Sequence, residues 1–317
     1  MMTAPLLQVA DELGKRESVI LVTGASGSVG SRLVDRLVEV GHLPRVAGRH
    51  PEGLTARWPQ LSAAELDVVR PATLGAALDG VHIAYYLVHS MEPGIGGEFQ
   101  ERDAQGARNF ARAAMEAGVE RVIYLGGLGR DDQELSEHLA SRQETGRILA
   151  EEGPKVLELR AAMVIGADSA SYRMLTDLVN RLPAMILPRW VSTLSQPISM
   201  SDVVSYLRAA LDVELSDHRT VVEIGGPDIL TYRRMIELVA EERGKHPILI
   251  TVPFLSAKLS SYWCAITTSV PMATAQPLIE GMTVPMVVRP ETASTLFPDI
   301  QPMSFRDALQ EAIADGS

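Results

Sequence analysis

The sequence lacks several features that common classes of protein require. It contains one cysteine in 317 residues, Cys264, which excludes an internal disulfide framework and a multi-cysteine metal site. Lys and Arg total 29 against 40 Asp and Glu, a net charge of −11, and no basic cluster could displace the counterions of a nucleic acid. We therefore expect neither a nucleic-acid partner nor a metal site.

Long apolar runs are also missing. The most apolar region, 262–288, is interrupted by three prolines and a glutamate, and so falls short of the ~18 apolar residues of a spanning helix. Near the start of the chain, Asp11 and Glu12 stand where a signal peptide would need a clean apolar stretch. These absences predict a cytoplasmic protein with no integral membrane segment.

Short apolar runs alternate with segments of helical periodicity in the first half of the chain, and this alternation is typical of βαβ units. Six strands joined by crossover helices predict an α/β fold with a doubly wound parallel sheet covered on both faces. Strands are expected at 18–23, 43–48, 63–66, 81–88, 119–125 and 155–159, and helices at 28–40, 71–78, 98–117 and 136–152.

The second half of the chain predicts a smaller, mainly helical C-terminal cap. After residue 160 prolines interrupt the pattern, and order returns at 196–211 and 218–224, which we interpret as late additions to the sheet. Helices are expected at 232–243, 254–267 and 272–281, with a short strand at 248–252. The predicted division assigns 1–165 and 195–228 to the sheet domain, and 166–194 and 229–317 to the cap.

The clearest motif is TGASGSVG, which begins at Thr23 between a predicted strand and a predicted helix. Gly24 allows a tight turn, Gly27 lets backbone N–H groups approach a pyrophosphate, and Gly30 lets the helix pack closely on the strand. The helix N-terminus would then face the phosphates of a dinucleotide, although a turn that serves packing alone is the alternative. The residues expected at the cofactor are Gly24, Ser26, Gly27, Ser28, Val29 and Gly30.

The ends of the next two strands extend this predicted site. The second strand ends with Arg49, where an NAD site would carry an acid for the ribose hydroxyls. A guanidinium pairs with a 2′-phosphate, so Arg49 favours NADP(H) over NAD(H), unless it is only a solvated loop residue. Asp67 and Val68 follow the third strand at the expected height of the adenine ring, and a helix cap is the alternative role for Asp67.

The fourth strand ends in YYLVHS, at the sheet edge where open α/β sheets bind ligands. We expect Leu87 and Val88 to lie against the nicotinamide half of the cofactor, and His89 to offer a polar group to a substrate. A plain core strand would explain residues 85–88 without any ligand.

The glycine turn, Asp67, the strand at 119–125 and the segment QPISMSD at 196–202 together resemble the extended and atypical short-chain dehydrogenase/reductase superfamily. Within it, the sequence is most similar to the NmrA-like group of NAD(P)-binding proteins. The resemblance covers residues 18–245 and implies a Rossmann-type fold with an NAD(P)(H) cofactor, but no single reaction. It also implies a Tyr-x-x-x-Lys motif after the fifth strand, in which the tyrosine is the general acid.

That motif is absent, because no tyrosine of the chain has a lysine four residues on. The corresponding helix carries His138 and Arg142, one turn apart, and Gly126-Gly127 replace the serine that would end the fifth strand. His138 could act as an acid near neutral pH and Arg142 could bind the ribose. The alternative is that both are surface residues of an acidic helix.

These features predict an NADPH-dependent reductase of an apolar carbonyl, imine or quinone held under the cap, with His138, His89 or water as the proton donor. A non-enzymatic NADP(H)-binding redox sensor or regulatory module is the alternative, and the missing Tyr-x-x-x-Lys motif favours it. An epimerase or dehydratase of a nucleotide sugar is less well supported, since the cap lacks a basic cluster for a substrate pyrophosphate. A small apolar substrate and a second copy of the chain are the expected partners, and Cys264 is expected to be buried and inert.

Overall fold

A computed structural model describes residues 18–89, 98–129, 135–252, 264, 267–289 and 293–316. The strands are β1 (Ile20–Thr23), β2 (Arg45–Gly48), β3 (Ala63–Glu65), β4 (Ile83–Tyr86), β5 (Arg121–Gly127), β6 (Lys155–Ala161), β7 (Val164–Ile165), β8 (Ala184–Pro188), β9 (Leu194–Ser195), β10 (Ile198–Ser199), β11 (Arg219–Ile224), β12 (Leu230–Thr231) and β13 (Ile248–Val252). The α-helices are α1 (Ser28–Glu39), α2 (Pro51–Arg57), α3 (Leu74–Leu78), α4 (Glu98–Glu116), α5 (Glu137–Glu152), α6 (Ala170–Arg181), α7 (Met200–Ala209), α8 (Tyr232–Glu242), α9 (Met272–Gly281), α10 (Ala293–Leu296) and α11 (Phe305–Asp315).

Seven parallel strands form the main sheet, in the order β3-β2-β1-β4-β5-β6-β11. The chain runs outward from β1 to β3, then crosses back and runs outward from β4 in the other direction. This order confirms the predicted Rossmann-type, doubly wound sheet, and its topological switch point lies between β1 and β4. Both strands are fully buried there.

Helices cover both faces of the sheet, as the parallel strands require. On one face, Leu33 and Leu37 of α1 and Leu207 of α7 share a buried apolar cluster with alternate residues of the strands. On the other face, α3, α4 and α5 form a second cluster around Phe110 and Leu149. The segments 196–211 and 218–224 both join this layered unit, the first as α7 and the second as the edge strand β11.

A third buried cluster lies in the C-terminal part of the chain, where α6, α8, α9 and α11 pack together with β8 and β13. Leu139, near the start of α5, belongs to this cluster, so the C-terminal cluster packs directly on the helix that carries His138. Met282 and Met286 are also buried members of this cluster.

Two short elements differ from the sequence prediction. Helix α2 forms although Gly53 weakens it, and Pro51 at its first turn fixes a backbone angle suited to a helix start. Strand β8 ends at Pro188 and pairs with β13, a partner about 60 residues away that no local pattern specifies. The predicted helix at 254–267 lies largely outside the described residues.

Candidate functional site

The glycine turn brings three parts of the backbone into close contact. Gly24 has a φ of +64°, and a Cβ on it would lie 2.6 Å from the carbonyl oxygen of Leu87. A Cβ on Gly30 would lie 2.2 Å from the carbonyl oxygen of Gly24. Helix α1 therefore starts directly against the end of β1, and its first turn, 28–31, contains no acidic residue that would repel an anion. This cradle fits a dinucleotide pyrophosphate.

A cleft of about 270 Å³ lies beside this turn, at the carboxyl edge of the sheet. Most of the residues predicted to bind the cofactor line it, as does His89, whereas Ser28, Val29 and Gly30 form the first turn of α1 behind it. The cleft therefore joins the ends of β1 to β4 in one site. The described residues of its lining are Gly24, Ser26, Gly27, Gly48, Arg49, Leu66, Asp67, Val68, Val69, Leu87, Val88, His89 and Arg102.

Two exposed arginines stand on the walls of this cleft. Arg49 follows β2, as predicted, and Arg102 reaches the cleft from α4. Arg102 could not be predicted from the sequence, because α4 displays several exposed charges and nothing in their spacing marks one as facing a ligand. Two guanidinium groups make the cleft suited to an anionic ligand.

Asp67 is held by its own turn. Its Oδ1 accepts a hydrogen bond from the Val69 backbone N–H at 3.1 Å, and its Oδ2 accepts one from Arg70 Nε at 3.2 Å. These contacts form an Asx turn. The N-cap position of the helical turn that follows is Arg70, not Asp67, so the helix-cap alternative is wrong.

His89 closes one end of the cleft and contacts a buried carboxylate that the sequence pattern did not indicate. Its Nδ1 lies 3.2 Å from Oδ2 of Asp103, an α4 residue whose side chain is 8% exposed. Ser141 Oγ of α5 donates to the same Oδ2 at 3.4 Å. On the other side of the ring, Nε2 is buried and has no hydrogen-bond partner among the described residues.

His138 lies next to His89, with 4.9 Å between the ring centroids. Arg142 is one helical turn further on, and its guanidinium donates to the Leu125 carbonyl and packs 5.5 Å from the centre of the Tyr124 ring. Within the described part of the chain, neither residue lines the cleft. The contact between Arg142 and the ribose thus has no support in this structure, and His138 is half-buried instead of lying on the surface.

Burial keeps both histidines neutral at neutral pH. Burial, followed by the nearby His89 and Arg142, lowers the pKa of His138 to about 3, with Asp103 opposing the shift. The pKa of His89 is also lowered, by burial and then by Arg142, with Asp103 opposing the shift. An imidazolium that titrates near neutrality, as expected for His138, is therefore not supported. The reason is the burial of this helix face, which a lone sequence pattern does not reveal.

Other expectations concern parts of the molecule outside the cleft. Burial raises the pKa of the Cys264 thiol to about 11, so this cysteine stays protonated, in line with an inert role. Among the described residues, no cluster of three or more His, Cys, Asp or Glu side chains has the form of a metal site. None of the described helices is both long and apolar enough to cross a membrane.

Comparison with known proteins agrees with this geometry. A protein-family model described as NAD(P)H-binding matches residues 24–163, the region from the glycine turn to the end of β6. This match supports the predicted resemblance to the atypical short-chain dehydrogenase/reductase superfamily. Within this superfamily, membership of the NmrA-like group stays a prediction.

Relatives of known activity include dehydrogenases and reductases. The 3 beta-hydroxysteroid dehydrogenase/Delta 5-->4-isomerase of Mycobacterium tuberculosis is 32% identical over 121 residues, which cover 36% of this chain and 31% of that protein. The match thus spans about a third of that relative's length. A ceramide reductase of Caulobacter vibrioides is 25% identical over 260 residues, 78% of this chain and 79% of that protein.

Several solved structures share the fold of this chain. Citrobacter sp. triphenylmethane reductase complexed with NADP(H) has a TM-score of 0.73 at 15% identity, over 93% of this chain and 99% of that one. An NADPH-dependent quinone oxidoreductase of Escherichia coli has a TM-score of 0.72 at 17% identity, over 93% and 100%. Bordetella bronchiseptica WbmG in complex with NAD and UDP has a TM-score of 0.70 at 19% identity, over 93% of each chain. Structures of one fold thus hold either dinucleotide, so the fold does not determine the cofactor preference.

Proposed function

We propose that this protein is an NADPH-dependent reductase of an apolar carbonyl, imine or quinone. One observation carries the proposal: the cleft that begins at the glycine turn ends at a buried cluster formed by His89, Asp103 and His138. A dinucleotide site and groups able to exchange a proton are therefore adjacent. When bound, the dinucleotide would supply the hydride.

Different residues of the cleft would bind different parts of the dinucleotide. Backbone N–H groups of the turn at Gly27 and the N-terminus of α1 would hold the pyrophosphate. Arg49 would pair with the 2′-phosphate of NADP(H), while Asp67 and Val68 would face the adenine. Leu87 and Val88 would lie against the nicotinamide and exclude water from it.

The substrate would lie between His89 and the cap. Leu139, next to His138 in sequence, packs in the buried cluster of the cap, so apolar groups of the C-terminal part approach the histidines. The division of the chain into a sheet domain and a C-terminal cap is part of this proposal. Reductases among the relatives and structural neighbours support a reduction, although their substrates differ from one protein to the next.

The contacts of Arg142 favour a second function. At the position of the missing Tyr-x-x-x-Lys motif, the guanidinium is bonded to the Leu125 carbonyl, and His138 is neutral. Neither group places a charge toward the cofactor there. A protein with this feature could bind NADP(H) as a sensor and report the bound state through the cap.

A turnover assay separates these functions. We expect NADPH oxidation with at least one member of a panel of apolar ketones, imines and quinones, and a lower rate in His89→Gln, since this change removes the imidazole that faces the cleft. His50→Gln is the matched control, because the His50 side chain is 82% exposed and lies outside the cleft lining. Absence of turnover across the panel, with NADPH-dependent protection of the cap from proteolysis, would establish the sensor instead.

A further inference from the structure

We propose that Asp103 is a positioning residue, which holds His89 in the tautomer protonated at Nδ1 and so keeps the lone pair of Nε2 available for a hydroxyl proton of the substrate. This inference rests on the proposed function. It assigns a role to a residue that carries none in the family motif, and it gives His89 a defined direction of proton transfer.

The tautomer follows from the contact between the two side chains. A carboxylate oxygen accepts hydrogen bonds, so the nitrogen 3.2 Å from Oδ2 of Asp103 carries the proton when the ring is neutral. Since a neutral imidazole has one N–H group, Nε2 then has a lone pair and no proton. Nε2 is also the ring atom that is buried without a partner among the described residues. A buried acceptor without a hydrogen-bond partner costs free energy unless a donor reaches it, and a substrate hydroxyl is such a donor.

The surroundings hold Asp103 in place. The residue lies on the buried face of α4, four residues before the fully buried Ala107, so the helix fixes its backbone. Ser141 Oγ on α5 donates to Oδ2, the oxygen that faces His89. Asp103 thus links α4, α5 and the end of β4. Among the described residues, Arg142 and His138 of α5 also lie near the His89 ring, and Arg102 of α4 lines the same cleft.

The step assigned to His89 is a proton transfer alone. In the direction of alcohol oxidation, the O–H bond of the substrate breaks, an N–H bond forms at Nε2, and the electron pair of the broken bond stays on the substrate oxygen. In the direction of reduction, Nε2 first takes up a proton from solvent, and this N–H bond then breaks as an O–H bond forms on the oxygen of the former carbonyl, which returns the ring to its neutral tautomer. The nicotinamide dinucleotide of the proposed function is the redox partner, and no proton moves to Asp103.

The tautomer can be measured without cofactor or substrate. Long-range proton–nitrogen NMR of the ¹⁵N-histidine-labelled chain should show a protonated Nδ1 and an unprotonated Nε2 for His89 at neutral pH. In Asp103→Asn we expect loss of this preference and a lower pKa of His89, because Asp103 raises that pKa in the wild type. Glu101→Gln, an exposed isosteric change on the same helix, should alter neither. A proton on Nε2 in the wild type would overturn the inference without any variant.

A kinetic measurement completes the test. Asp103→Asn should lower kcat by about 10²-fold or more, the usual contribution of general acid–base catalysis, with the Kd of NADPH from calorimetry unchanged. Asp103→Glu should recover part of the rate. An unaltered kcat in a variant whose tautomer has changed would contradict the positioning role. A wild type with the expected tautomer but no turnover would remove the proposed function and the proton transfer, and would leave the Asp103–His89 contact as a structural one.

Discussion

Arg49 and Arg102 show how much of the electrostatics of the site depends on single residues. Arg49 could be identified from its place after β2, because strand ends of a doubly wound sheet meet at one edge. Arg102 and Asp103 could not be identified in this way, because both lie within a helix. For Asp103 one signal was usable: it precedes Ala107 by four residues and so lies on the same face of α4 as this buried alanine. A helical pattern gives the face on which a residue lies, but not the neighbour that it meets across the packing interface.

Removal of Arg49 tests the predicted preference for NADP(H). Arg49→Ala should weaken NADPH binding by about 1.5–3 kcal/mol, roughly 10- to 100-fold, since one charge-assisted contact to the 2′-phosphate is lost. Binding of NADH, which lacks this phosphate, should change little. Calorimetric titration of both dinucleotides measures the two effects, with Arg36→Ala as an exposed control of equal charge change on α1. Equal affinities for NADPH and NADH in the wild type would contradict the preference.

At the level of elements, the long periodic segments and the short strand β13 at 248–252 were predictable, whereas the short elements α2 and β8 were not. Helices α1, α4 and α5 lie within one residue of their predicted ends, because apolar spacing, Gly41 and the cap at Ser136 define them. Strand β8 and helix α2 depend on tertiary partners. The sequence predicted that α1 contacts the glycine turn closely, because the spacing of the glycines requires a close approach of helix and strand.

Gly30 makes that contact testable. Gly30→Ala places a methyl group 2.2 Å from the Gly24 carbonyl oxygen, so α1 must move away from the turn. We expect loss of both NADPH and NADH binding, and a decrease of about 1–3 kcal/mol in the free energy of unfolding, as for other overpacked sites. Gly75→Ala is the matched control in α3, because a Cβ there meets nothing within 4 Å. It should keep dinucleotide binding, and urea unfolding should show unchanged or slightly higher stability. Normal binding by Gly30→Ala would place the phosphate site elsewhere.

For the whole molecule, the candidate site lies where the sheet and the C-terminal cluster meet. The histidines lie at the carboxyl edge of the sheet, and Leu139 beside them belongs to the buried C-terminal cluster. The sequence indicated that the two histidines belong to this edge, through their places after β4 and on α5. It did not indicate that they are buried against each other, because burial depends on how α4, α5 and the cap pack together.

This burial links the site to acid stability. The pKa of His138 is about 3 in the folded protein against 6.5 for an unperturbed histidine. Between these values the unfolded chain binds a proton that the folded chain excludes, so the free energy of unfolding should fall as the pH decreases from about 6.5. One such group contributes a slope of at most about 1.4 kcal/mol per pH unit. His89, whose pKa is lowered as well, adds to the effect in the same direction.

Urea unfolding of wild type, His138→Gln and His50→Gln at several pH values from about 7 to 4 measures this contribution. Carboxylates that protonate in the same pH range affect all three proteins alike. The difference between the slopes of the free energy of unfolding against pH therefore gives the contribution of His138 alone. The loss of stability with falling pH should be smaller in His138→Gln, because a glutamine takes up no proton on unfolding. His50→Gln should follow the wild type, because the His50 side chain is 82% exposed in the folded protein. Parallel curves for wild type and His138→Gln would mean that His138 is protonated in the folded state, and the histidine pair would then be a charged group at the end of the cleft.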